Sequence, residues 1–185
     1  NFEEDKSNIF IKNLEIASHV ANDIFNDCSF PDLNGDLLIN CLESFKMPPG
    51  RGEILSLNKF KIIDDSYNAN PESVKAALDH LSGFQECRKF FVFGDMKELG
   101  ANEEIFHKKI GQYAVEKADI LFTVGKLAKN AQSNSNNFAL SLHFNDNFSL
   151  LEKLNELLTD GDIVLIKGSR SMQLDQLINE LKNVK

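Results

Sequence analysis

From about residue 7 to residue 25 the apolar positions Ile9, Phe10, Leu14, Ala17, Val20, Ala21, Ile24 and Phe25 recur at intervals of three and four, which lines up one face of a helix. A second set, Leu33, Leu37, Leu38, Cys41, Leu42 and Phe45, predicts another short helix that ends before Pro48-Pro49-Gly50. The texture then changes. Residues 53–57 and 60–63 are short strand-like runs separated by Asn58-Lys59, which reads as a hairpin. Further strand-like runs at 89–93, 120–124, 138–144 and 163–166 alternate with helical stretches near 71–83, 101–118, 126–132 and 147–158, and a last helix covers about 171–183. The repeated strand-helix-strand order predicts an α/β fold: a doubly wound, mostly parallel sheet of about six strands with helices on both faces, preceded by a short N-terminal helical segment. The polar run 130–137 (NAQSNSNN) offers little to bury and reads as a surface loop without function. Nothing repeats along the chain with a period of 20 to 50 residues, which excludes solenoids and propellers.

Composition narrows the class. An apolar share of 42% over 185 residues is that of a globular protein with a real core. The formal charge of −8 is concentrated in residues 1–50, with nine acids against three bases, so no part of the chain is built to grip nucleic acid. Cys28, Cys41 and Cys87 have no paired spacing and predict neither a disulfide framework nor a zinc site. No stretch approaches the roughly 20 apolar residues that span a bilayer. The N-terminus lacks the basic start and cleavage site of a secretory leader. The expectation is a cytoplasmic protein without membrane insertion.

The chemistry concentrates at strand ends. Asp64-Asp65-Ser66-Tyr67-Asn68-Ala69-Asn70-Pro71 leaves an apolar strand and enters a helix that Pro71 opens and Asn70 can cap. Such a loop offers a helix N-terminus to phosphate and a carboxylate to ribose hydroxyls, although an ordinary capped turn has the same composition. Arg51, just after the Pro-Pro-Gly break, carries donors suited to phosphate or ribose oxygens. Gly94 allows a tight exit from its strand, and Asp95 beside it would orient an ammonium group or a water on magnesium. Gly168 permits a turn that aims Lys167 and Arg170 at an anionic substrate, with Ser169 placed to cap the last helix. His107 is expected to pack or cap on its own helix, and no metal site is proposed. Because parallel strands point their carboxyl ends the same way, the exits near Asp65, Asp95, Gly125 and Lys167 should share one edge of the sheet. No GxxxxGK[ST] phosphate loop occurs in the chain.

The DDSYNANP string resembles the signature of the Mur ligases, in the form carried by the branch that uses D-alanyl-D-alanine. Pro49-Gly50-Arg51 precedes it, Gly94–Gly100 (GDMKELG) resembles the family's GDM-x-ELG, His107 with Ile110-Gly111 resembles H-x-x-IG, and 167–171 matches KGSRS. Ser7-Asn8 stands where the family more often has His-Asn. The resemblance implies that residues 51–185 form the Rossmann-like C-terminal domain of such a ligase and residues 1–50 the helical end of its central ATP-binding domain. It implies ATP and magnesium as cofactors, with the phosphate loop and magnesium ligands in the upstream part of the central domain. UDP-N-acetylmuramoyl-tripeptide and D-alanyl-D-alanine are the implied partners. ATP would phosphorylate the peptide carboxylate, and the dipeptide amine would attack the acyl phosphate. Arg51, Asp65, Tyr67 and Asn68 are then expected at the nucleotide, with Asp65 on the ribose, and Asp95, Lys167, Ser169 and Arg170 at the substrates. None of these side chains is expected to do covalent chemistry, and the chain alone is expected to lack turnover. A related Mur or folylpolyglutamate-type ligase, and a stand-alone nucleotide-binding or interaction module, remain open at this point.

Overall fold

Consecutive strand residues are buried against opposite sides of one sheet, and this alternation sorts the core into two layers. Ile63, Phe91, Phe93, Leu121 and Leu165 pack on one face, whereas Ile62, Phe90, Val92, Phe122 and Val164 pack on the other. The structure, a computed structural model, describes residues 48–183 and, before them, Ile16, Ala17, His19, Val20 and Asp23, all of which are helical. The rest of the helix predicted over 7–25, the helix predicted over 33–45 and the assignment of 1–50 to a central domain fall outside the described residues. The chain divides into units 1–47 and 48–185, and all the strands described belong to the second.

Six strands form that unit's sheet: β1 (Glu53–Ser56), β2 (Lys61–Asp65), β3 (Lys89–Gly94), β4 (Ile120–Val124), β5 (Leu140–Phe144) and β6 (Ile163–Lys167). Their order is β1-β2-β6-β3-β4-β5, with β1 antiparallel to β2 as the hairpin reading requires and the other pairs parallel. The four inner strands are almost wholly buried, as expected when helices cover both faces. Helices α1 (Pro71–Ser82) and α2 (Glu103–Ala114) place Val74, Leu78, Leu81, Ile110 and Ala114 against one face. Helices α3 (Asn147–Leu157) and α4 (Leu174–Asn183) place Leu150, Leu154, Leu177, Ile178 and Leu181 against the other. The doubly wound α/β expectation therefore holds.

Helix boundaries differ from the sequence reading where backbones come close. A 3₁₀ turn (Gly100–Asn102) precedes α2, which stops at Ala114, and another (Arg170–Met172) is separated from α4 by Gln173 in the left-handed region, φ 52°. The run read as a functionless surface loop, and the helix predicted over 126–132, are instead a 3₁₀ stretch, Ala128–Asn137, with Ala128 and Ala131 buried. Small residues are what permit this. A Cβ added at Gly111 on α2 would lie 2.1 Å from the Ala131 carbonyl oxygen, so only glycine lets the two segments touch. Gln132 then donates to Thr123 Oγ1 at 3.0 Å and to the Leu142 carbonyl at 2.9 Å, and accepts from Ser141 Oγ at 2.6 Å, sealing the β4–β5 side of the sheet.

Gly111→Ala should therefore lower stability by about 1–3 kcal/mol, because the methyl group meets backbone that cannot swing aside. A shifted urea midpoint at unchanged slope would show this; an unchanged midpoint would mean the two segments separate at no cost.

Candidate functional site

At the carboxyl edge of the sheet, β2 ends on Asp65 directly opposite Lys167 of β6, and Phe93 of β3 faces Lys167 from the other side. The expected convergence of strand exits is thus set by register. Lys167, expected at the substrates, is buried, and its Nζ donates to Asp65 Oδ2 at 2.5 Å and to the Asn68 carbonyl at 3.0 Å. Burial pushes the Lys167 ammonium below the ordinary lysine range and the Asp65 carboxyl above the usual carboxylate range, in each case against their mutual attraction. A pair that costs desolvation on both sides is weak evidence for stability and better evidence for a fixed geometry. Asp64 turns back on its own loop, where Oδ1 accepts from Ser66 Oγ at 2.6 Å.

Asp95 is also committed internally. Its Oδ1 accepts from the Leu127 and Ala128 amides at 2.9 and 2.8 Å, its Oδ2 from Lys97 Nζ at 2.9 Å, and its carbonyl from the Ser169 amide at 2.9 Å. Gly125, at φ 106°, makes room for this carboxylate, since a Cβ there would lie 2.4 Å from Asp95 Oδ1. The aspartate expected to meet an amine or a metal-bound water is found binding the exits of β3, β4 and β6 together. Ser169, expected to cap the last helix, precedes the 3₁₀ turn instead and makes no side-chain cap bond. The cap at the other loop is as expected: Asn70 Oδ1 accepts from the Ser73 amide at 2.8 Å, and Pro71 opens α1. His107 is buried, with Nε2 accepting from the Met96 amide at 2.8 Å and Nδ1 donating to the Glu103 carbonyl at 2.6 Å. Those two partners define a neutral ring that ties α2 to the loop after β3.

The exposed groups gather around Tyr67. The Arg51 guanidinium carbon lies 4.1 Å from the centre of its ring and that of Arg170 5.3 Å. The segments carrying Arg51 and Tyr67 are laced together by Tyr67 N–H to the Gly50 carbonyl, 3.0 Å, and Gly52 N–H to the Asp64 carbonyl, 2.7 Å. Beside the ring opens a cleft of about 580 Å³ lined by Tyr67, Asn68, Asn70, Lys97, Glu98, Ser169, Arg170 and Ser171 among others. The structure thus brings Tyr67, Asn68, Ser169 and Arg170 to one opening, with Arg51 over the Tyr67 ring, while Asp65, Lys167 and Asp95 do not line it. Sequence reasoning gave no site role to Lys97 and Ser171, although both stand inside the GDMKELG and KGSRS motifs, nor to Glu98, which holds a left-handed φ of 63°. Among the described residues, no group of three or more His, Cys, Asp or Glu is placed to hold a metal ion.

Comparisons with known proteins agree on one lineage. Residues 50–170 match the family model described as Mur ligase, glutamate ligase domain. The chain is similar to the UDP-N-acetylmuramoyl-tripeptide–D-alanyl-D-alanine ligase of Bacillus subtilis (strain 168), 36% identical over 149 residues, covering 76% of this chain and 32% of that one. It is 38% identical over 148 residues to the ligase of the same name from Buchnera aphidicola subsp. Baizongia pistaciae, covering 76% and 30%. Among solved structures, it is similar to MurF ligase from Thermotoga maritima in complex with ADP, with a TM-score of 0.69 at 28% identity over 78% of this chain and 33% of that one. MurF from Acinetobacter baumannii gives 0.73 at 26% over 82% and 34%. The chain spans about a third of the length of the curated relatives it matches.

Two outcomes follow from the buried groups. Lys167→Met should cost about 3 kcal/mol because it strands the Asp65 carboxyl, whereas the double variant with Asp65→Asn should recover most of that loss; equal losses in both would show that the pair is not coupled. Burial holds His107 below the ordinary value of 6.5, so the unfolded chain takes up the proton first. Stability should be full above about pH 6.5 and fall as pH drops through that value toward the lowered pKa of the folded state. His107→Gln should lose less stability than the parent between about pH 7.5 and about pH 5.5 in urea titrations; an identical loss would assign the dependence elsewhere.

Proposed function

We propose, from the premise that this chain belongs to the Mur ligase family, that it serves as the C-terminal domain of an ATP-dependent ligase joining D-alanyl-D-alanine to UDP-N-acetylmuramoyl-tripeptide in the cytoplasm. The branch is favoured by the 36% and 38% identities to ligases of that name, whereas the similarity to a folylpolyglutamate synthase structure, at 16% identity, extends to the fold alone. The observation that carries the reading is the cationic pair at Tyr67. Among the described residues neither Arg51 nor Arg170 forms an ion pair, so two guanidiniums stand free for an anion beside the cleft.

This donor set fits a nucleotide. Arg51 would meet its phosphate or ribose oxygens, and Asp65 would offer the ribose its Oδ1, since Oδ2 is held by Lys167. Tyr67 and Asn68 flank the same opening, and Ser169 with Arg170 faces the side where peptide and dipeptide would enter. Lys167 and Asp95 then act through the loops they fasten. ATP, when bound, supplies the phosphoryl group that makes the peptide carboxylate reactive toward the dipeptide amine. The residues here contribute position and charge neutralisation, and closure of this domain on the rest of the ligase would exclude water. Magnesium ligands are expected upstream, in the central domain that the family resemblance implies.

In the full-length ligase, Arg51→Ala should raise KM for ATP by about tenfold or more with a smaller change in kcat, the loss of one charge-assisted contact. An unchanged KM for ATP would remove Arg51 from the nucleotide site.

A further inference from the structure

The loops around the cleft are fixed by main-chain and buried side-chain bonds, yet they expose an aromatic ring carrying two cations. Tyr67 is 41% exposed, and its backbone is held on both sides, by the Gly50 carbonyl before it and, through Asn68, by the buried Lys167 ammonium after it. No hydrogen bond of its hydroxyl is found among the described residues, so the ring is the functional part. The Arg51 and Arg170 guanidinium carbons cannot be farther apart than the 4.1 and 5.3 Å from each to the shared centroid laid end to end. Two like charges so placed repel, and with no ion-pair partner among the described residues the ring's negative face offsets them, aided at Arg51 by the Asp65 carboxylate.

We propose that Tyr67 is a positioning residue whose ring holds Arg51 and Arg170 as a preorganised pair that clasps one polyphosphate chain, rather than a platform for a nucleobase. A polyphosphate presents anionic oxygens in succession, so one chain can engage both planar guanidiniums, whereas an isolated carboxylate satisfies one. On the face that Arg51 covers, a stacked base would have to displace the guanidinium that already lies 4.1 Å from the ring centre. The inference deepens the reading above, rests on it for the ligand class, and moves Arg170 from the peptide side to the phosphate chain.

The chain makes the test unusually direct, because it contains only three arginines, Arg51, Arg88 and Arg170. Their Nε–Hε signals in a proton–nitrogen correlation spectrum are assignable from the three Arg→Lys variants. Arg88 serves as an internal control, since it is bound to Asp162 at 2.6 Å near the amino-terminal start of β3. Tyr67→Leu should remove the ring-current shift of Arg51 and Arg170 together and leave Arg88 in place, while Tyr67→Phe should preserve all three signals. Inorganic tripolyphosphate should move the Arg51 and Arg170 signals with a single midpoint, weakened about two- to fivefold in Tyr67→Leu and unchanged in Tyr67→Phe. Adenosine should move neither. The proposal is overturned if Tyr67→Leu leaves both signals where they were, if tripolyphosphate titrates only one of them, or if adenosine displaces them. A ligase whose KM for ATP responds to Arg51→Ala while the pair fails these tests keeps the functional reading and loses this one; the reverse result keeps the pair and loses the ligase reading.

Discussion

A buried ammonium group organises this domain's working edge. Lys167 stands at the end of the strand lying between β2 and β3, and its three protons must find acceptors where water does not reach. Asp65 and the Asn68 carbonyl accept two of them, so the cost of burying the charge is offset only when the loop after β2 takes one conformation. That conformation sets Tyr67 facing outward with Arg51 and Arg170 near its ring. The loop leading into α1 is therefore specified twice, by the Asn70 capping box from within and by Lys167 from a strand a hundred residues away in sequence.

The two ends of the sheet use buried charge differently. Near the amino-terminal ends of β3 and β6, Arg88 grips Asp162 with two parallel bonds and also reaches Thr159 and the Leu157 carbonyl, so each hydrogen bond is made within the domain. At the carboxyl end, Asp95 and the Lys167–Asp65 pair tie strand exits together but leave the arginines unpaired among the described residues. Rigid support beneath and unfilled cationic capacity above are what preorganised binding of an anion requires, since the donors need not rearrange when the ligand arrives. Asp95 is the supporting counterpart of Lys167: its carboxylate and its carbonyl together join three strand exits, the carboxylate in a space that the lack of a Cβ at Gly125 leaves open.

Much of the rim was readable because parallel strands oblige their exits to lie side by side, so Arg51, Asp65, Tyr67, Asn68, Ser169 and Arg170 could be grouped from spacing and motif. What each charge does at that rim was not readable. Lys167 and Arg170 sit three residues apart in one motif, yet one is buried under the loops and the other exposed, because strand alternation and the end of β6 fall between them. Asp95 looks like a ligand in sequence, since the amides that occupy it come from 127 and 128, on a different strand exit. The polar run 128–137 has the composition of a free loop, and only its seat against Gly111 makes it part of the core.

By itself, the sequence determined the element order, the hairpin that starts the sheet, the two apolar faces, the capped entry to α1 and the family. These follow from local periodicity, proline and asparagine chemistry and contiguous motifs, all of which act within a few residues. Tertiary structure alone decided which charges pair with each other and which stay without an ion-pair partner among the described residues. That choice depends on strand register and on how closely backbones approach, and both are set by contacts between segments far apart along the chain.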